Sequence, residues 1–218
     1  MGHRYFDIAA TPSVVEAQIA NGSRGMYAGM EDDPSPVEIS ADVADFIAGR
    51  NSFYMATVSE TGWPYVQHRG GPPGFLKVLD ATTVGFADFR GNRQYISLGN
   101  ASANNRAALI LMDYPHRRRL KIYARIEARD LKADPELALQ LALPGYRALP
   151  ERAILLHVEA FDRNCPQHIT PRFTEAEIAA AMAPLHARLA ALEAENQALR
   201  AHLAGKALAG AAVQETDQ

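Results

Sequence analysis

The chain has 218 residues, 48% of them apolar, enough for a packed core and for one domain with appendages or two small domains. Its formal charge of −3 gives no global attraction toward nucleic acid or an anionic membrane. The single Cys165 excludes an intrachain disulfide and suits a reducing compartment. The N-terminal MGHRYFDIAATP lacks the apolar core of a signal peptide and no run approaches membrane-spanning length, so a soluble cytoplasmic protein is expected.

Residues 11–22, TPSVVEAQIANG, read as a short helix. Pro12 suits its first turn, Ser13 and Glu16 have capping-box spacing, and Gly22 suits the stop. The loop MEDDPSPVE comes next, and Ser40 then caps a second helix whose Val43, Phe46 and Ile47 form one apolar stripe. Together, residues 1–50 are expected to be a helical segment packing on the strand-rich domain C-terminal to it.

Strand signals begin at Asn51. FYMATVS and PYVQHR flank a Thr61-Gly62 turn and predict a hairpin. FLKVLD and TVGFADF predict a second, and RAALILMDY and RLKIYARIEARD, joined through Pro115-His116-Arg117, a third. Residues 134–143 read as a helix stopped at Pro144-Gly145, and AILLHVEAF as a further, central strand. Six or more antiparallel strands at even spacing predict a closed or partly closed barrel over residues 51–172. Residues 173–208 read as a C-terminal helix, capped at Thr174 and kinked or divided at Pro184, with residues 209–218 as an unstructured tail. Leu185, Leu189, Leu192, Asn196, Leu199 and Leu203 recur at four- and three-residue steps, a heptad seam with one Asn. Two readings stay open: a self-associating coiled coil, or a solitary amphipathic helix lying on the barrel.

Metal-ligand spacing, a serine elbow and a glycine-rich dinucleotide fingerprint are all missing. Polar residues cluster instead on and beside the strands. Gln67, His68 and Arg69 end the second strand, and Asn92, Arg93 and Gln94 come after FADFRG. Arginine with amide donors at a helix start matches a phosphate. The HRRR run reads as a solvated turn at Arg117 and Arg118, while Arg119 and Lys121 enter a strand. A nucleic-acid patch is disfavoured by the acidic balance and the lack of interleaved aromatics.

The order ATVSETGWPYVQHR, FADFRGNRQ, NNRAALILMDYPHRRRLKI resembles the pyridoxamine 5′-phosphate oxidase family, in its branch of related FMN-binding proteins. The resemblance spans roughly residues 50 to 170. It implies a six-stranded antiparallel split β-barrel with flanking helices and a homodimer binding FMN at the subunit interface. Gln67 falls where the family has a basic contact to FMN, and Asn92, Arg93 and Gln94 fall on its phosphate-binding segment. Phe86, Ala87 and Asp88 align with the strand whose backbone runs beside the flavin ring. Arg119 and Lys121 align with the strand reaching the other subunit's cofactor, and Arg69 is a further phosphate or ring contact.

Gln94 stands in place of a lysine and Asp88 in place of a hydroxyl residue, so phosphate charge would rest on Arg93 with Arg69 or Lys121. The family's C-terminal substrate segment is not recognisable; NCPQHITPRF stands there, and Asn164, Gln167 and His168 are its candidates to face the flavin. The expected function is therefore flavin-mediated electron or hydride transfer with a small-molecule substrate other than vitamin B6. The alternative is a non-catalytic flavin- or haem-binding dimeric sensor or storage protein, and a deazaflavin is a further cofactor candidate. No catalytic residue or metal ligand is assigned.

Overall fold

Apolar residues at alternate positions curl the central strands around a shared core. The computed structural model describes residues 4–30, 37–163 and 166–215, with side chains to residue 205. Four helices come first: α1 (Tyr5–Ala9), α2 (Pro12–Ala20), α3 (Arg24–Tyr27) and α4 (Ala41–Ala48). Strands β1 (Ser52–Val58), β2 (Pro64–Gly70), β3 (Lys77–Val78) and β4 (Thr83–Phe89) come after them. Next are α5 (Ile96–Ala103), β5 (Arg106–Asp113), β6 (Arg118–Arg129), α6 (Pro135–Gln140), β7 (Pro150–Arg163) and α7 (Glu175–Glu215). The chain divides into two compact units, Met1–Pro171 and Arg172–Gln218.

The first unit is a seven-stranded antiparallel sheet of order β2-β1-β5-β6-β7-β4-β3, wound as the expected split barrel. The short β3 brings the count to seven; it is all that FLKVLD adds to the ladder, while its Phe75 and Leu76 are buried in the core. Strands β6 and β7 run 12 and 14 residues, and a register shift at Tyr123/Ala124 lets this long pair bend. The three predicted hairpins form, with Gly62 at φ 87° in the first turn, a left-handed conformation glycine adopts without a Cβ penalty. AILLHVEAF lies inside the sheet, between β6 and β4.

Phe53, Met55, Leu109, Leu111, Leu120 and Ile122 alternate inward, and the Phe53 ring lies 5.4 Å from Phe86 and 5.8 Å from Phe75. Val43, Phe46 and Ile47 of α4 join this core as their spacing predicts. A smaller cluster holds Ala87, Ala153 and Leu155 against Leu137 and Leu141 of the α6 region. Helix boundaries depart from the sequence reading at both ends of the chain. Thr11 sits at the N-cap of α2, so Ser13 is already helical and makes no capping box with Glu16. Pro184 does not divide the C-terminal helix: α7 is one helical element with Pro184 inside it. Its backbone is helical to Glu215, so of the expected unstructured tail only residues 216–218 lie outside the described residues.

At the turn from β5 to β6, buried Asp113 accepts from the His116 backbone N–H at 3.3 Å and pairs with its ring Nδ1 at 2.8 Å and with Arg50 at 3.5 Å. Burial pushes the Asp113 carboxyl up, but the His116 hydrogen bond and the Arg50 charge outweigh it, so it titrates below the usual range. Replacing Phe53 with Ala should cost about 3–5 kcal/mol in denaturant unfolding. Asp113→Asn should cost about 1–3 kcal/mol at neutral pH. Because the folded pKa is depressed, that difference is present above the unfolded value of 3.8 and vanishes as pH falls through the folded one. Unfolding curves of the two proteins, compared from neutral pH downward, should therefore converge in acid.

Candidate functional site

The two ends of the sheet meet without backbone pairing among the described residues, and side chains close the gap. Arg69, on edge strand β2, donates from Nη1 to Asp88 Oδ1 on β4 at 2.6 Å. Arg152 of β7 donates from Nη1 to the other carboxylate oxygen at 3.1 Å. The three side chains are 17%, 10% and 19% exposed, so this is a largely desolvated ion triad. The Arg69 Nε is buried and has no hydrogen-bond partner among the described residues. The Arg69 guanidinium also lies 5.8 Å from the Phe86 ring, where the triad borders the core.

Helix α5 caps the same gap. Its Ser97 donates to Gln67 Oε1 on β2 at 2.9 Å, and its buried Asn100 donates to Thr57 Oγ1 on β1 at 3.0 Å. The loop entering α5 turns sharply, with Arg93 at φ 60° and Tyr95 at φ 53°, in the left-handed region that side chains rarely adopt. Asn92 Oδ1 accepts the Gln94 backbone N–H at 3.2 Å and stabilises that turn. Tyr95 donates to the Glu151 carboxylate at 3.2 and 3.3 Å, and Arg90 donates to it at 3.0 Å. The Arg90 hydrogen bond, aided by that of Tyr95 and the Arg152 charge, outweighs desolvation and holds Glu151 below the usual carboxylate range. The hydrogen bond of Tyr95 and the charges of Tyr95 and Glu151 push Arg93 upward.

These elements enclose a cleft of about 210 Å³. Arg69, Arg93 and Arg152 line it together with Asp88 and Glu151, and with Gln67, Asn92 and Ser97 as neutral polar groups. Three guanidiniums against two carboxylates leave a net positive charge, and one more guanidinium nitrogen is unsatisfied. That donor set fits a phosphate group.

The structure thus brings Gln67, Arg69, Asp88, Asn92 and Arg93 together, as five of the sequence candidates. The others lie elsewhere. His68 points to the opposite face of β2, where its ring meets Tyr54 at 5.5 Å, because neighbours on a strand alternate sides. Phe86 and Ala87 are buried, each in a different apolar cluster. Gln94 is exposed and does not line the cleft. Lys121 pairs with Asp162 at 2.7 Å and sits 4.4 Å from the Tyr5 ring, so it does not supply charge to this cleft. Arg119 lines a separate depression with Phe46 and Arg163. Gln167 and His168 occupy an exposed turn, and Asn164 lies outside the described residues.

Sequence reasoning missed Tyr95, Ser97, Glu151 and Arg152. Glu151 and Arg152 directly precede the apolar run that marks β7, so only the pairing of β7 with β4, Arg152 opposite Asp88, reveals their place. No group of three His, Cys, Asp or Glu among the described residues could hold a metal ion, and no described helix is long and apolar enough to cross a membrane.

Several solved structures are similar to this chain. HupZ from Group A Streptococcus matches with 16% identity and a TM-score of 0.46, over 62% of this chain and 99% of its own. An FMN-binding protein from Syntrophomonas wolfei matches with 9% identity and a TM-score of 0.43, over 67% of this chain and 97% of its own. An F420 reductase matches with 19% identity and a TM-score of 0.37, over 53% of this chain and 93% of its own. A search of curated proteins found no match. Residues 39–159, more than half of the chain, match the profile of the pyridoxamine 5′-phosphate oxidase family. They include every strand but the end of β7 and every residue lining the cleft. The chain belongs to the pyridoxamine 5′-phosphate oxidase family.

Proposed function

We propose that the cleft holds the phosphate end of FMN, and that the protein is an FMN-dependent oxidoreductase acting on a small organic substrate. The observation that carries this reading is the Arg69–Asp88–Arg152 triad with Arg93 beside it, a cationic, partly desolvated set at the seam of a barrel of this family. Arg69 and Arg152 would take the phosphate charge, Ser97 and the Asn92 amide would donate to its oxygens, and Arg93 would close the rim. Bound FMN supplies hydride and electron transfer, while the chain supplies binding, orientation and electrostatics.

Size favours a homodimer. About 210 Å³ is below the roughly 300–1,000 Å³ of sites that bury a whole cofactor-sized ligand. One chain therefore offers part of a site, and a second copy would complete it. The outward face of β1, β2 and β5 supports this with Tyr54 and Val66 exposed and Ile110 half-buried, an apolar strip suited to a partner. On this reading Arg119 and Lys121 serve the partner's cofactor.

Purified protein should be yellow, or become so with FMN, and the released ligand should have the mass of FMN. A colourless protein that stays so after incubation with FMN, or a haem spectrum, overturns the reading. Bound flavin that exchanges electrons with neither NADH nor NADPH would favour a carrier over an enzyme. Arg93→Ala should weaken FMN binding by about 1.5–3 kcal/mol in a titration, and unchanged affinity removes Arg93 from the site. Asp88→Asn separates stability from binding. It should destabilise the free protein by about 1.5–3 kcal/mol yet bind FMN at least as tightly, because a competing carboxylate is gone.

A further inference from the structure

The second unit carries an apolar seam longer than its leucines alone suggest. Counted back from Leu185 in the same steps, Met182 and Ile178 also fall on it, so the stripe covers residues 178–203. Leu185, Leu192 and Leu199 then take heptad position d, and Leu189, Asn196 and Leu203 position a. The apolar members are exposed, from 38% at Met182 to 65% at Leu203. Pro184 falls at position c, off the seam, and the helix runs unbroken from Glu175 to Glu215.

We propose that a second copy of this chain covers the stripe, forming a parallel, in-register, two-stranded coiled coil. Charge flanking the seam points to this occupant. Arg188 at g precedes Glu193 at the following e, and Glu195 at g precedes Arg200 at the next e. In a parallel pair each g residue faces the following e residue of its partner, so both steps bring opposite charges together, twice over by symmetry. Asn196 points the same way. In a parallel pair it meets its own counterpart and the two amides hydrogen-bond. In an antiparallel pair an a position packs against d, and the amide would lie unsatisfied against leucine. A foreign apolar helix would need to reproduce both the charge steps and the Asn layer; a second copy does so by identity.

The test uses the full chain with Cys165→Ser as background and single cysteines introduced by Leu189→Cys, Leu203→Cys or Ala194→Cys. Residues 189 and 203 lie on the seam, and 194 lies at the outward f position. Under mild oxidation the two seam variants should each form a disulfide-linked homodimer on a non-reducing gel, and the 194 variant should not. Adding Arg188→Glu should slow cross-linking several-fold at low salt, and further adding Glu193→Arg should restore it. The proposal is overturned if neither seam variant cross-links. It also fails if dimers form only when the 189 and 203 variants are mixed, if the 194 variant cross-links as fast, or if reversing Arg188 changes nothing. FMN content plays no part in the readout, so failure here is distinct from failure of the cleft assignment.

Discussion

The barrel depends on one carboxylate shared by two guanidiniums. Asp88 sits where the curled sheet fails to pair its edges, and it joins β2 through Arg69 and β7 through Arg152. Removing one partner of such a desolvated set strands the others, which costs far more than losing a surface pair. A gap closed by side chains rather than by a backbone ladder has a further consequence. Its donors are side chains rather than ladder amides, so guanidiniums are concentrated at the seam. The residues that close the seam are therefore also the ones that make the cleft cationic.

Around that triad the structure stores strain and then holds it in place. Arg93 and Tyr95, two residues apart, both adopt left-handed backbone that costs of order 1–3 kcal/mol each for such residues. Contacts around the loop offset that cost. Tyr95 reaches Glu151, which also receives Arg90, and the Arg152 guanidinium stacks 5.0 Å from the Tyr95 ring. The buried Asn100–Thr57 bond fixes helix α5 behind the loop. The loop and α5 are thus held from several sides.

Legibility differed sharply between the core and the cleft. Val43, Phe46 and Ile47 were readable as one face of α4 because helical periodicity is local. The hairpins were readable because their turns and alternation lie within a few residues of each other. Phe86 and Ala87 were marked through the backbone of their strand, and only the structure shows that their side chains fill two apolar clusters on opposite faces of β4. The pairing of Lys121 with Asp162 across the β6–β7 ladder was likewise invisible in the sequence.

By itself the sequence determined the antiparallel barrel, the α4 stripe, the heptad seam of α7 and five cleft residues. Each of these is written in spacing of two, three or four residues, or in a short run whose chemistry is local. Tertiary structure decided which polar residues meet. Arg69, Asp88 and Arg152 are separated by 19 and 64 positions, and only the curl of the sheet and the register of β7 on β4 bring them within hydrogen-bond distance. Periodicity carries no information about contacts that long loop closures create, which is why Glu151 and Arg152 stayed hidden beside a strand whose apolar run was plain.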